Sequence, residues 1–142
     1  MDGRWLVTDN ESGRAYAVGT WEPGPRLGPG IPWDVSPDGR LVVLGQTDGI
    51  YRLIELATGR ELARLEDPDQ TAGAALFTPD GTRLVVAAQN GLRVWDLHRI
   101  RAELVELGLD WDTPAYPPDP EPAAVPTPLT IIVEMSDILK HP

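Results

Sequence analysis

Between Ile31 and Asp69 the apolar positions fall into four short runs separated by turn residues. The runs are Ile31 to Ser36, Arg40 to Gln46, Ile50 to Ala57 and Arg60 to Glu66. The breaks are Pro37-Asp38-Gly39, Thr47-Asp48-Gly49 and Thr58-Gly59. Asp-Gly between apolar runs signals a hairpin, because glycine takes the positive φ that the reversal needs. The pattern therefore predicts four short antiparallel strands. Leu41-Val42-Val43-Leu44 is apolar on both faces, so this strand needs cover on both sides. One small sheet cannot supply that cover, and the unit needs neighbours of its own kind.

The neighbours are present. Asp2-Gly3-Arg4-Trp5-Leu6-Val7, Asp38-Gly39-Arg40-Leu41-Val42-Val43 and Asp80-Gly81-Thr82-Arg83-Leu84-Val85 repeat one theme. A second glycine follows ten positions after each first one, at Gly13, Gly49 and Gly91. The copies lie 36 and 42 residues apart, from Gly3 to Gly39 and from Gly39 to Gly81. A period of ~40 residues with four short strands per unit is the signature of propeller blades. The predicted fold is all-β: a partial β-propeller of about two and a half four-stranded antiparallel blades, with a short C-terminal helix and a Pro-rich tail.

Ser36-Pro37-Asp38-Gly39-Arg40-Leu41-Val42, Thr78-Pro79-Asp80-Gly81 with Asn90-Gly91, and Val94-Trp95-Asp96-Leu97 resemble the WD-repeat β-propellers. The middle unit carries Ile54-Glu55 where the Trp-Asp pair of that family would stand. Trp33-Asp34 and Trp111-Asp112 lie outside the register. The family's Gly-His marker is absent, and the two histidines, His98 and His141, stand elsewhere. The resemblance implies a non-catalytic scaffold that presents rim loops to a protein partner. Residues 63–68 and 94–111 also resemble bacterial, planctomycete-type versions in which such propellers follow a serine/threonine protein kinase. That resemblance implies the alternative of a regulatory or sensing C-terminal end of a kinase. No glycine-rich loop, HRD or DFG motif occurs in this chain, so the chain itself is not read as an enzyme.

Met1 stands directly before an Asp-Gly turn that follows an inner strand in the other copies. The chain is accordingly read as the end of a longer propeller, with a small independent β-protein as the alternative. On the first reading Leu6, Tyr16 and Val18 face an open flank, and missing blades or self-association are expected there. Residues 1–97 form the blades, with Glu22 to Gly30 a loop or poor outer strand, because proline cannot donate to a ladder. Residues 98–108 form a helix with Ile100, Leu104 and Leu107 at helical spacing, Asp96 as N-cap and Gly108 past its end. The helix takes the place of the last outer strand and packs on the last blade. Trp95 is expected to be largely buried between blades, whereas nothing requires this of Trp33 or Trp111. Residues 109–128 form a linker in which proline accumulates from Pro114 onward, making an extended spacer. Residues 129–142 hold a strand-like tail, Leu129 to Met135, that either adds to an open blade edge or belongs to a following domain.

Charge and composition narrow the function. Twenty-two acidic residues against 12 basic ones give a net charge of −10, which disfavours nucleic acid as a partner. Cysteine is absent, which removes disulfides, thiolate metal sites and a cysteine nucleophile. No apolar run reaches the ~18 residues of a membrane span. Glu61, Glu66, Asp67 and Asp69 cluster, but their spacing matches no calcium loop. His98 has no second ligand at metal spacing, and Ser12 and Ser36 have no histidine partner nearby in sequence. Gly24 to Gly30 is broken by prolines and precedes no helix, so it is no phosphate loop. No catalytic residue, cofactor-binding residue, metal ligand or cofactor is assigned.

Overall fold

The computed structural model describes residues 4–9, 13–69, 73–88, 91–111, 114 and 116. The spacer and the strand-like tail expected beyond Tyr116 lie outside the described residues, as do the expected turns at Asp2-Gly3, Asn10 to Ser12 and Asn90.

Among the described residues ten strands form three antiparallel sheets in chain order. Blade 1 comprises β1 (Trp5–Thr8), β2 (Arg14–Ala17) and β3 (Pro23–Arg26). Blade 2 comprises β4 (Ile31–Val35), β5 (Leu41–Gly45), β6 (Ile50–Glu55) and β7 (Glu61–Glu66). Blade 3 comprises β8 (Ala75–Phe77), β9 (Arg83–Ala88) and β10 (Gly91–Asp96). The fold is a partial, all-β propeller. Among the described residues only blade 2 has four strands; those of blade 1 begin at the strand equivalent to β5, and blade 3 passes into a helix after β10. The proline-rich stretch forms an edge strand with an irregular register, pairing Arg14 with Arg26 and Tyr16 with Pro23. An edge position is where a missing N–H costs no ladder bond.

The Asp-Gly turns repeat atom for atom between blades 2 and 3. The Ser36 hydroxyl donates to Asp38 Oδ1 (2.6 Å) and accepts from the Leu41 N–H (2.9 Å), while Asp38 Oδ1 accepts from the Arg40 N–H. Thr78 and Asp80 do the same with the Arg83 and Thr82 N–H groups. Gly39 and Gly81 close these turns at φ of 70° and 73°, where a Cβ would be strained. Each side chain thus satisfies backbone donors that the reversal leaves without ladder partners.

Every residue of β5 is buried, and the period of two sends neighbours to opposite blades. Val42 and Leu44 join Ala15, Leu27 and Ile54 in a core layer flanked by Trp5 and Val7 of blade 1. Leu41 and Val43 join Tyr51, Leu53, Ala75, Phe77, Leu84 and Val86 in a second layer against blade 3. Polar ties cross the second layer. The Tyr51 hydroxyl exchanges hydrogen bonds with the Gly73 backbone, and the Asp34 carboxylate accepts from the Phe77 N–H at 2.9 Å. Asp34, out of register as part of a Trp-Asp pair, is therefore a link between inner strands.

Helix α1 (Leu97–Glu106) is capped as the sequence implies: the Asp96 side chain accepts from the Arg99 N–H at 2.9 Å. At its C-terminus the Leu109 N–H reaches the Leu104 carbonyl and the Gly108 N–H reaches that of Val105, with Gly108 at φ 68°. This is a Schellman closure. The buried face differs from the expected stripe. Leu97 and Arg101 are buried with Ile100 beside them, whereas Leu107, already in the cap, is exposed. No helix among the described residues is long and apolar enough to cross a membrane.

Candidate interaction surface

Three arginines recur at one position of the third strand. Arg14, Arg52 and Arg93 pair with Thr8, Leu44 and Val86, each the fifth residue after its blade's turn glycine. Arg52 donates to the Pro29 carbonyl (2.8 Å) and pairs with Glu61 (2.6 Å). Arg93 pairs with Asp69 (2.6 Å) and Asp67 (3.4 Å). Pro29, and Asp67 with Asp69, lie in the segments that enter blades 2 and 3, so each arginine pins the connection from the preceding blade. Arg14 donates to the Gly24 carbonyl of its own blade.

These pairs account for most of the acidic cluster. Burial pushes the Glu61 carboxyl up, but the hydrogen bonds and charges of Arg52 and Arg64 outweigh it and hold it below its ordinary value. Asp67 is buried and its carboxylate also accepts from the Asp69 N–H. Glu66 alternates outward and is exposed. Asp67 and Asp69 thus tie blade 2 to blade 3 and Glu61 is paired within blade 2; among the described residues no group of three or more His, Asp or Glu could hold a metal. His98 lies tilted against Tyr116, with ring centroids 6.4 Å apart. The Ser36 hydroxyl is committed to its turn, and Ser12 lies outside the described residues.

A second arginine site was not foreseen. Arg101, only 7% exposed, donates to both carboxylate oxygens of Asp110 (2.9 and 2.8 Å) and to the carbonyls of Pro114 (2.7 Å) and Trp111 (3.3 Å). Its guanidinium lies over the rings of Trp111 and Tyr116. Hydrogen bonding to Arg101 holds the Asp110 carboxyl below the usual range. Burial pushes the Tyr116 phenol up to about 12 against the opposing charge of Arg101, with Asp38 adding to the rise. Trp95, expected to be largely buried, is half-buried against the second core layer, whereas Trp111, of which no burial was required, is 5% exposed. A signal existed in the sequence: Arg101 stands among Leu97, Ile100 and Leu104 on one helix face, where an arginine needs a partner.

Among the described residues, a further surface with chemical character is a groove of about 560 Å³ between blades 1 and 2. Arg4, Trp5, Val18, Thr20, Arg40 and Glu55 contribute to its walls. Arg4 reaches the Asp38 carbonyl at 3.4 Å, so the groove runs beside the Asp38-Gly39 turn. Trp21 follows Thr20 in the β2–β3 turn, is 60% exposed, and has φ of 58°. A bulky residue in that region is strained, and such strain concentrates at binding surfaces.

No family model matches the chain. Its relatives include the small ribosomal subunit protein RACK1 of Brassica napus, 41% identical over 63 residues, which are 44% of this chain and 19% of the relative. RACK1 of Medicago sativa is 35% identical over 81 residues, 57% of this chain and 24% of the relative. Pre-mRNA-processing factor 19 of Oryza sativa subsp. japonica is 30% identical over 78 residues, 55% and 15% respectively. The chain thus spans about a fifth of the length of the first of these relatives. Three stacked antiparallel blades and relatives that are WD-repeat proteins agree: the chain is similar to WD-repeat propellers, a fold of protein-interaction scaffolds.

Proposed function

We propose that this chain is a non-catalytic interaction module whose partner is a protein held on the rim around the groove between blades 1 and 2. The observation that carries this reading is that Arg4, Trp5 and Arg40 line the groove, with the exposed Trp21 one residue beyond the wall residue Thr20. Exposed tryptophan and arginine beside a concavity form the composition in which binding energy concentrates. Of the side chains that suggest chemistry, Ser36 is bonded within its turn, and Glu61, Asp67 and Asp69 are engaged in ion pairs. The module comprises blades over residues 1–97, a helical cap over 98–108, a spacer over 109–128 and a tail over 129–142, and it is one part of a larger propeller. A place at the regulatory end of a bacterial kinase rests on the resemblance of residues 63–68 and 94–111 alone.

The test is affinity capture with quantitative mass spectrometry from cells that express the protein. Proteins retained by the native chain are expected to be lost with Trp21→Ala and with Arg40→Ala, and kept with Leu107→Ala on the far helix end. A capture profile indifferent to both rim changes refutes the site.

A further inference from the structure

The groove between blades 1 and 2 differs in charge from the chain as a whole. The chain carries a net charge of −10. Among the described residues, however, the groove walls hold two arginines, Arg4 and Arg40, against one carboxylate, Glu55. The Arg40 side chain is 48% exposed and pairs loosely with Asp38, at 3.8 Å. Glu55 accepts from the Thr58 hydroxyl, and the Asp38 carboxylate accepts from the Ser36 hydroxyl and the Arg40 N–H. Both acids are thus engaged in their own turns. Trp5, Val18 and Ala57 make the apolar part of the walls. The walls belong to two blades already packed on each other, so a blade added before blade 1 or after blade 3 would leave the groove open.

The chain after α1 is delivered to the same rim. Arg101 holds the Pro114 carbonyl at 2.7 Å and lies over the Tyr116 ring. Tyr116 packs against the core layer that contains Leu41, the residue after Arg40. The charge of Asp38 acts on the Tyr116 phenol, and Asp38 directly precedes the wall residues Gly39 and Arg40. The sequence that follows, Pro117-Pro118-Asp119-Pro120-Glu121-Pro122, is proline-rich and acidic, and no lysine or arginine occurs between it and Lys140. At ~3.1 Å per residue an extended run of this kind spans roughly 18 Å. Proline-rich segments dock in aromatic-lined grooves because their extended backbone is ordered before binding.

We propose that residues 117–122 of this chain occupy the groove between blades 1 and 2, with Asp119 and Glu121 toward the arginines and the prolines against Trp5. The contact is autoinhibitory, since a protein partner on the rim has to displace the segment. The inference rests on the rim being the binding surface and names what holds that surface before a partner arrives.

The test exploits the absence of cysteine: Ala123→Cys carries a nitroxide label just past the segment in an otherwise native chain. The indole N–H signals of Trp5 and Trp21 are expected to lose most of their intensity, and to the same degree on dilution. Asp119→Lys combined with Glu121→Lys is expected to restore them, and so is Arg40→Glu alone. Joining all three changes is expected to bring part of the broadening back, because lysine then meets glutamate. The lysine pair lies outside residues 1–97, so it keeps the test decisive if Arg40→Glu loses its folded circular-dichroism spectrum. The lysine pair is also expected to increase capture of rim partners, because it clears the groove. Full-intensity signals in the labelled native chain overturn the proposal, as does broadening indifferent to the lysine pair. Broadening transferred to an unlabelled copy in a mixture also overturns it, since the segment would then come from a second chain. The rim reading fails separately, when capture ignores Trp21→Ala and Arg40→Ala, whatever the nitroxide reports.

Discussion

Arg101→Ala tests most of the local account in one change. The substitution removes a guanidinium that makes two bonds to Asp110 and one each to the carbonyls of Pro114 and Trp111. It also uncovers the Trp111 ring, 5.2 Å from the guanidinium carbon. Breaking a buried pair from one side costs about 3–5 kcal/mol when the remaining charge stays dry. Here the side chains of Arg101 and Asp110 are 9% and 23% exposed, so Asp110 regains water on losing its partner. That places the ion pair near the low end, and the lost cation–π contact adds about 0.5–1 kcal/mol. A total of about 3.5–4 kcal/mol corresponds to a Tm lowered by roughly 10 °C or more for a domain of this size. Differential scanning calorimetry reads the shift, and near-ultraviolet circular dichroism reports whether the Trp111 signal is lost first. Arg101→Lys keeps the charge but not the fork, and is expected to recover less than half of the loss. A Tm for Arg101→Ala within about 2 °C of the native value would refute the clamp.

The other expectations follow from the same contacts. Asp110 has its carboxyl depressed by Arg101, so its contribution is present above the unfolded value near ~4 and disappears as pH falls through the lower folded value. The stability gap between native chain and Asp110→Asn, measured by urea denaturation, is therefore expected to be full at neutral pH and to close in strong acid; a constant gap contradicts the pairing. Trp111→Ala is expected to cost about 3–5 kcal/mol and the half-buried Trp95→Ala about 2 kcal/mol in the same assay, the reverse order being the disproof. Ultraviolet titration is expected to show one tyrosine ionising near pH 12, absent in Tyr116→Phe. Arg93→Met removes the cation that pairs with both Asp69 and the buried Asp67 and is expected to speed proteolysis at the blade 2–blade 3 connection more than Arg64→Met, whose partner Glu61 also has Arg52.

What the sequence could disclose was decided by period. Alternation and paired Asp-Gly turns made the blades readable, and Leu41 to Leu44 declared a strand covered on both faces. What stayed hidden depended on register between elements. The arginine series emerges only from strand pairing, because the β9–β10 hairpin is one residue shorter than the β5–β6 hairpin and counting from the turns misaligns Arg52 with Val94. The family's Trp-Asp position points to Trp95 as a largely buried tryptophan. The deeper site belongs to Trp111, which the Gly108 reversal folds back under Arg101. Leu107 fitted the helical period, but the helix ends at Glu106. The rim groove involves two blades and the strained turn at Trp21, and no local pattern marks either.

The central claim is that consecutive residues of one strand face different neighbouring blades, and methyl NOE spectroscopy tests it most directly. Val42 methyls are predicted to show contacts to Ala15 and Leu27 of blade 1, and Val43 methyls to residues of blade 3 such as Leu84 and Val86. If both valines report the same set of neighbours, or if Val43 shows none from blade 3, the sheets are not stacked as blades and the account fails.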